Sequence, residues 1–297
     1  MPSPFLDLVH QGKNQPWRYV VALFLILFMW LIVGSVPYII VVAFVTLDGD
    51  SATIFDSLSG GFTGVDPVIP FLGLMLSFPI FLGGVYLSVR FIHQRPFHTL
   101  LSTKSLNWSR IAQAFCLWFL LAAVIAVFEA IAYPHVYRLT FDPLQFATFI
   151  LFALVLIPLQ SSTEEIFFRG YLLQGASVWV KNPIFLSLIS GVVFMLPHLA
   201  NPEVMLDFIL LPIFYTALGA FLAFISIKDN SLDLALGVHA ANNLFTALFA
   251  NYSGSALATP AIFTASEFNV AFNVIGAIVA MVVFYFWFFW PGQPKPA

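Results

Sequence analysis

Charge is what this sequence has least of. Only 8% of its 297 residues are Asp, Glu, Lys or Arg, against roughly 25% in ordinary soluble domains. Eleven cations and fourteen anions cannot clothe a 33 kDa globule, so a water-soluble fold around one very large core is excluded. A single cysteine, Cys116, excludes an internal disulfide and a thiolate metal cluster. Lying inside an apolar run, it reads as a small core or lipid-facing side chain. The net charge is −3 and no basic patch or arm is present to neutralise phosphates, so no nucleic-acid partner is expected. No internal repeat is visible, which disfavours an inverted-repeat transporter, and no segment is of low complexity. A cleavable signal is not expected either. The apolar run that begins at Tyr19 is too long for a signal core, and nothing like a cleavage site closes it.

What fills the chain instead is apolar sequence, 61% of it, in long uninterrupted runs. Runs of 18 or more such residues read as membrane spans. Eight are expected, over 19–47, 70–92, 111–133, 144–161, 184–200, 204–227, 234–250 and 270–290. The fold class predicted is therefore all-α: one polytopic membrane domain over 1–297, a bundle of about eight transmembrane helices. Gly34, Ser35 and Pro37 predict a tilt or kink in the first span. The short Asn201-Pro202-Glu203 link predicts an antiparallel hairpin of the fifth and sixth. A Pro-rich tail follows from Pro291.

Ten of the eleven cations fall in alternate loops: Lys13, Arg18, Arg90, Arg95, Lys104, Arg110, Arg169, Lys181, Lys228 and Lys295. The opposite loops hold Arg138 alone, with Asp48, Asp50, Asp56, Asp66 and Glu203. The positive-inside rule then places both termini in the cytoplasm of a multi-pass cell-membrane protein. An even number of spans gives the same answer.

Against this background a few polar residues stand out. Ionisable groups inside membrane helices cost at least ~2.5–3.5 kcal/mol and by default mark function. Three clusters qualify: Ser161-Ser162-Thr163-Glu164-Glu165 with Arg169, His198 late in the fifth span, and His239-Ala240-Ala241-Asn242-Asn243 in the seventh. Glu165 and Arg169 are one helical turn apart and can pair, whereas Glu164 is rotated ~100° away and is left to face a cavity. His239 and Asn243 likewise share a face, and Asn242 points elsewhere. Lys181-Asn182-Pro183 is a turn, with Pro183 opening the next helix. Glu164 and His198 lie at similar distances on either side of it, so the hairpin brings them to one level. Each cluster has a plainer explanation when taken alone: an interfacial ion pair, a satisfied helix-end histidine, or interhelical hydrogen bonds worth ~0.6–2 kcal/mol. Together they point to one buried site. Carboxylate and imidazole suit water activation with Glu as base and His sharing the proton. They equally suit a zinc ion held by two His and one carboxylate. Asn and His can donate to a developing oxyanion.

Glu164-Glu165-x-x-x-Arg169, Phe194-x-x-x-His198 and His239-x-x-x-Asn243, in that order on membrane segments, resemble the CAAX prenyl endopeptidase and bacteriocin-processing (CPBP) intramembrane proteases. The resemblance covers about 144–250, the expected catalytic core. It implies peptide-bond hydrolysis in an all-α membrane bundle, with the site opening toward the cytoplasm. It implies Glu164 as the base, His198 as a water-holding group, His239 and Asn243 as oxyanion donors, and Glu165 with Arg169 as a supporting ion pair. Zinc on Glu164, His198 and His239 and a metal-free glutamate mechanism both fit it. The implied partners are the lipid bilayer and a peptide or protein substrate, prenylated or membrane-embedded. A non-catalytic bacteriocin-immunity or scaffold protein on the same fold is the alternative.

Helix lengths add a geometric expectation. His239 lies ~9 Å into its helix from Asp233, and His198 ~22 Å past Pro183. For both to reach one depth, the Lys181–Pro183 turn must stand ~13 Å beyond the start of the seventh span, or the hairpin 170–191 must tilt steeply. The cavity is expected on the cytoplasmic side, about a third of the way into the bilayer.

Overall fold

A computed structural model describes residues 3–57 and 61–291. The Pro-rich tail after Pro291, with Lys295, lies outside the described residues. Eight main helices follow one another: α1 Pro16–Leu47, α2 Val68–Ile92, α3 Trp108–Ala132, α4 Pro143–Ala176, α5 Pro183–His198, α6 Leu210–Asp229, α7 Asp233–Leu248 and α8 Val270–Phe289. Six of them are long and apolar enough to cross a membrane. The other two, α5 and α7, are 16 residues each. Among the described residues, strands are confined to short pieces: a hairpin of β1 Ile54–Asp56 with β2 Gly61–Thr63, and a small sheet of β3 Tyr137–Leu139, β4 Ala250–Tyr252 and β5 Phe263–Ala265, with β5 in the middle. The chain is a multi-pass, all-α membrane bundle.

Local sequence sets the helix starts. The side chains of Asn107, Asp142, Asn182 and Asn269 accept backbone N–H groups at the starts of α3, α4, α5 and α8, satisfying donors that a helix leaves unpaired. Pro143 and Pro183 follow two of these caps, where a missing N–H costs nothing. In α1 the predicted kink is a widened turn over Phe28–Val33 that closes with Gly34 N–H on Met29 O at 2.8 Å. A Cβ on Gly34 would stand 2.3 Å from Trp30 O.

Two spans differ from the sequence reading. The fourth does not stop at 161. It runs on to Ala176 through a widened turn over Ile166–Leu173, and its polar residues find partners within α4 itself and on α6 and α7. The sixth starts at Leu210, not at 204. Residues Pro202–Leu206 form a separate short turn, and Asp207 Oδ1 accepts from Ile209 N and Leu210 N to cap α6.

The two ends of the bundle are built from different loops. At one end, Phe5 N–H donates to Asn230 Oδ1, His93 Nδ1 meets Lys13 O, Leu232 N–H donates to Leu101 O, and Ser177 Oγ donates to Leu6 O. This is the cation-rich end. Gly170 packs against Leu100 O, and the neighbouring Leu101 O accepts Leu232 N–H just before α7. At the other end, the β3–β5–β4 sheet joins the loop after α3 to the loop after α7, and Ala256 N–H donates to Glu203.

Helices α5 and α6 form the expected hairpin and touch backbone to backbone. A Cβ on Gly191 would lie 2.3 Å from Thr216 O and 2.8 Å from Ala220 N. Gly191→Ala should therefore lower the thermal midpoint in detergent, at a cost of ~1–3 kcal/mol. Gly83→Ala, with nothing within 4 Å of the new methyl, should hold or raise it. Equal melting of the two variants would contradict the close crossing.

Candidate active site

The polar clusters of α4, α5 and α7 meet in the middle of the bundle, around one cavity of about 440 Å³. Glu165 and Arg169 are both fully buried and paired at 2.8 Å. Arg169 also donates through Nη2 to the carbonyl of Gly219 on α6 at 3.1 Å, and its guanidinium lies over the ring of Phe194 at 4.4 Å. The same Glu165 oxygen receives His239 Nδ1 at 2.7 Å. One carboxylate thus ties α4 to α7 and, through Arg169, to α6. It also fixes the His239 ring so that Nε2 faces Glu164 Oε2 at 3.6 Å. Glu165 and Arg169 stand behind His239 and do not line the cavity.

Glu164 does line it. The residue is 7% exposed, and its two oxygens differ. Oε1 accepts from Gln160 Nε2 at 2.8 Å. Oε2 is buried and has no hydrogen-bond partner among the described residues. Behind Oε1 runs a line of amides. Trp118 Nε1 donates to Asn242 Oδ1, Asn242 Nδ2 to Asn243 Oδ1, Asn243 Nδ2 to Gln160 Oε1, and Gln160 to Glu164, over 2.8–3.4 Å per step. Every donor points toward the carboxylate, so each bond polarises the next. Asn242, expected to point elsewhere, is instead turned into this line by the Trp118 indole on α3.

His198 ends α5. Its Nδ1 meets Phe194 O at 2.7 Å, and its ring packs between Phe194 and Tyr215 at 4.4 and 4.5 Å. His239 flanks the same Phe194 ring at 5.8 Å, so the two histidines sit at one level. Tyr215 OH donates to Glu203 Oε1 at 2.8 Å, where Asn201 Nδ2 also donates, at 3.1 Å. The structure therefore brings Glu164, His198, His239 and Asn243 around one cavity. The sequence left open both a zinc set of Glu164, His198 and His239 and a metal-free carboxylate. Among the described residues no three His, Cys, Asp or Glu side chains are grouped to hold a metal ion. The Nδ1 atoms of His198 and His239 are engaged by Phe194 O and Glu165, which fixes each ring and leaves Nε2 as the nitrogen for any further partner.

Sequence reasoning missed Gln160, although it lies one turn before Glu164 on the same face, which was the available signal. It also missed Glu129 and counted Glu203 only among the loop acids. Both line the cavity, 2% and 5% exposed. Glu129 accepts from Tyr137 OH at 2.7 Å and Asn273 Nδ2 at 2.8 Å. Burial, and after it the bond to Glu129, push the Tyr137 phenol up. Burial, and after it Glu203, push the Tyr252 phenol up. Both phenols therefore stay protonated. These residues correct the expected direction of opening. The cavity reaches from Glu164 toward the loops after α3, α5 and α7, away from the cation-rich end.

A family profile described as type II CAAX prenyl endopeptidase Rce1-like matches residues 143–245, the stretch that carries all three clusters. Over 287 residues the chain is 34% identical to the uncharacterized protein YyaK of Bacillus subtilis (strain 168), an alignment covering 92% of this chain and 91% of that one. No solved structure matches significantly.

The ion pair sets the stability of this region. Glu165→Ala leaves Arg169 buried without its partner and should cost ~3–5 kcal/mol, read as a fall in the thermal midpoint and in folded yield. Adding Arg169→Met should recover part of that loss. A single variant as stable as the parent would show that the pair is not what holds α4, α6 and α7 together.

Proposed function

Because the chain belongs to the CPBP family of Rce1-like CAAX prenyl endopeptidases, we propose that it is a membrane endopeptidase in which Glu164 activates the attacking water. The observation that carries this reading is the asymmetry of that carboxylate. One oxygen is engaged by Gln160, and the other is buried, unpartnered and turned to the cavity. With His239 Nε2 3.6 Å away, a water seated beside the line between them reaches both groups.

The proposed sequence uses this chain's own residues. Glu164 Oε2 takes a proton as the water oxygen attacks the peptide carbonyl, and His198, held by Phe194 O, helps seat that water. The carbonyl oxygen becomes an oxyanion. Asn243 has one amide hydrogen not engaged by Gln160, and His239 donates from Nε2 when it carries the proton there, balanced by Glu165. Both are placed to receive the new charge. Collapse of the intermediate breaks the C–N bond, and Glu164 hands its proton to the leaving amine. No step is routed through a metal.

The orientation also belongs to this proposal. The distribution of Lys and Arg favours a protein with both termini in the cytoplasm of a cell membrane. A prenylated C-terminal cysteine is the substrate that family resemblance alone implies.

Glu164→Gln is close to isosteric and keeps an acceptor for Gln160. It should lower cleavage by on the order of 10²–10⁴-fold with folding intact. Full activity would remove Glu164 from the mechanism, and an unchanged cellular phenotype would favour a scaffold. A second test concerns metal. Dialysis of the purified protein against a strong chelator should leave cleavage unchanged. Loss of cleavage restored by zinc would replace the glutamate mechanism with a zinc site on Glu164, His198 and His239.

A further inference from the structure

The cavity walls carry Glu129, Glu164 and Glu203, and among the described residues no Lys or Arg side chain lines them. The first and third are held by neutral donors alone: Tyr137 OH and Asn273 for Glu129, and Tyr215 OH, Asn201 and the Ala256 N–H for Glu203. Arg169, the buried cation of the region, is turned to Glu165 and Gly219 O behind His239. Arg138, the one cation in the loops of this end, is exposed on β3 and outside the lining. The remaining free valence faces the same space, because Glu164 Oε2 is more than nine-tenths buried and has no partner among the described residues. A low-dielectric cleft lined by one sign of charge concentrates the opposite sign by about 10-fold or more. A peptide ending in a free carboxylate would meet three like groups and no cation there.

We propose that the cavity takes an extended peptide segment carrying a basic side chain, which enters from the end opposite the cation-bearing loops. This rests on reading the cavity as the peptide site of an endopeptidase. In the orientation proposed above, the entry lies on the non-cytoplasmic face, and the segment is one that has already been exported or exposed there. Its Lys or Arg side chain supplies the charge that Glu129 and Glu203 lack. Its backbone runs on toward Glu164 between the α3 and α7 walls.

Thiol-reactive probes test this without any cleavage assay. Cys116 is exposed on α3 and is first removed as Cys116→Ala. Three single-cysteine proteins follow: Ala126→Cys in the cavity wall, Ser253→Cys exposed on the loop after β4 and outside the lining, and Thr103→Cys exposed at the cation-rich end. Each is treated in intact cells and in inverted vesicles with membrane-impermeant methanethiosulfonates, one bearing a quaternary ammonium and one a sulfonate. Position 126 should react from the face that labels 253, not the face that labels 103. Its cation-to-anion rate ratio should exceed that of position 253 by about 10-fold, and Glu129→Gln should reduce that excess. Reaction at 126 only from the face that labels 103, or a ratio no higher than at 253, would overturn the proposal. The label on 103 separately reports the orientation. An inactive protein with these labelling properties would count against proteolysis and leave the charge preference standing.

Discussion

A guanidinium with no access to water has to be matched, and the middle of this bundle is arranged around that requirement. Arg169 is fully buried, and it is met by a carboxylate, a helix carbonyl and an aromatic face from three different elements. The carbonyl belongs to Gly219, whose missing side chain lets α6 approach Phe194 and Gly191. Glu165 then has a second task, because the oxygen that meets Arg169 also meets His239. The ion pair is therefore structural and also sets the orientation of an imidazole at the cavity wall. Removing either partner would leave a bare charge in a medium that cannot solvate it.

Adjacent glutamates acquire opposite roles from this arrangement. Successive residues on a helix point ~100° apart, so the residue next to the ion pair is turned away from it. Glu164 looks into the cavity, where Gln160 bonds one oxygen and His239 Nε2 faces the other at 3.6 Å. The line from Trp118 through Asn242, Asn243 and Gln160 engages one of its oxygens and leaves the other open. A carboxylate so held turns one unpartnered oxygen to the cavity in a defined direction.

Much of this was legible in the sequence, and the parts that were not have physical reasons. Hydropathy located the eight helices, and Asn182 with Pro183 marked the start of α5. Helical phase separated Glu164 from Glu165 and paired His239 with Asn243. The continuation of α4 past 161 was hidden because a polar run looks like a loop until its partners, on α4 itself and on α6 and α7, are known. The same limit hid the turn of Asn242 toward Trp118, since phase describes one helix and the partner sits on another. Glu203 was counted among the loop acids, and Glu129 near the end of its span was not singled out. They are buried because the β3–β5–β4 sheet and the Ala256 backbone fold over that end, a tertiary feature that three-residue strands do not announce. The direction of the cavity went with them. Eight helices say where the charges lie along the membrane normal and nothing about which end of the bundle is closed.

The central claim is that Glu164 faces the bond to be cut, with Asn243 and His239 on the side of its carbonyl. The most direct measurement is a structure of the Glu164→Gln protein with a captured peptide, identified by mass spectrometry. One peptide carbonyl is expected within hydrogen-bond distance of Asn243 Nδ2 or His239 Nε2, with its carbon facing the amide that the substitution introduces at position 164. A peptide bound elsewhere on the bundle, or one whose backbone stays clear of position 164, would contradict it.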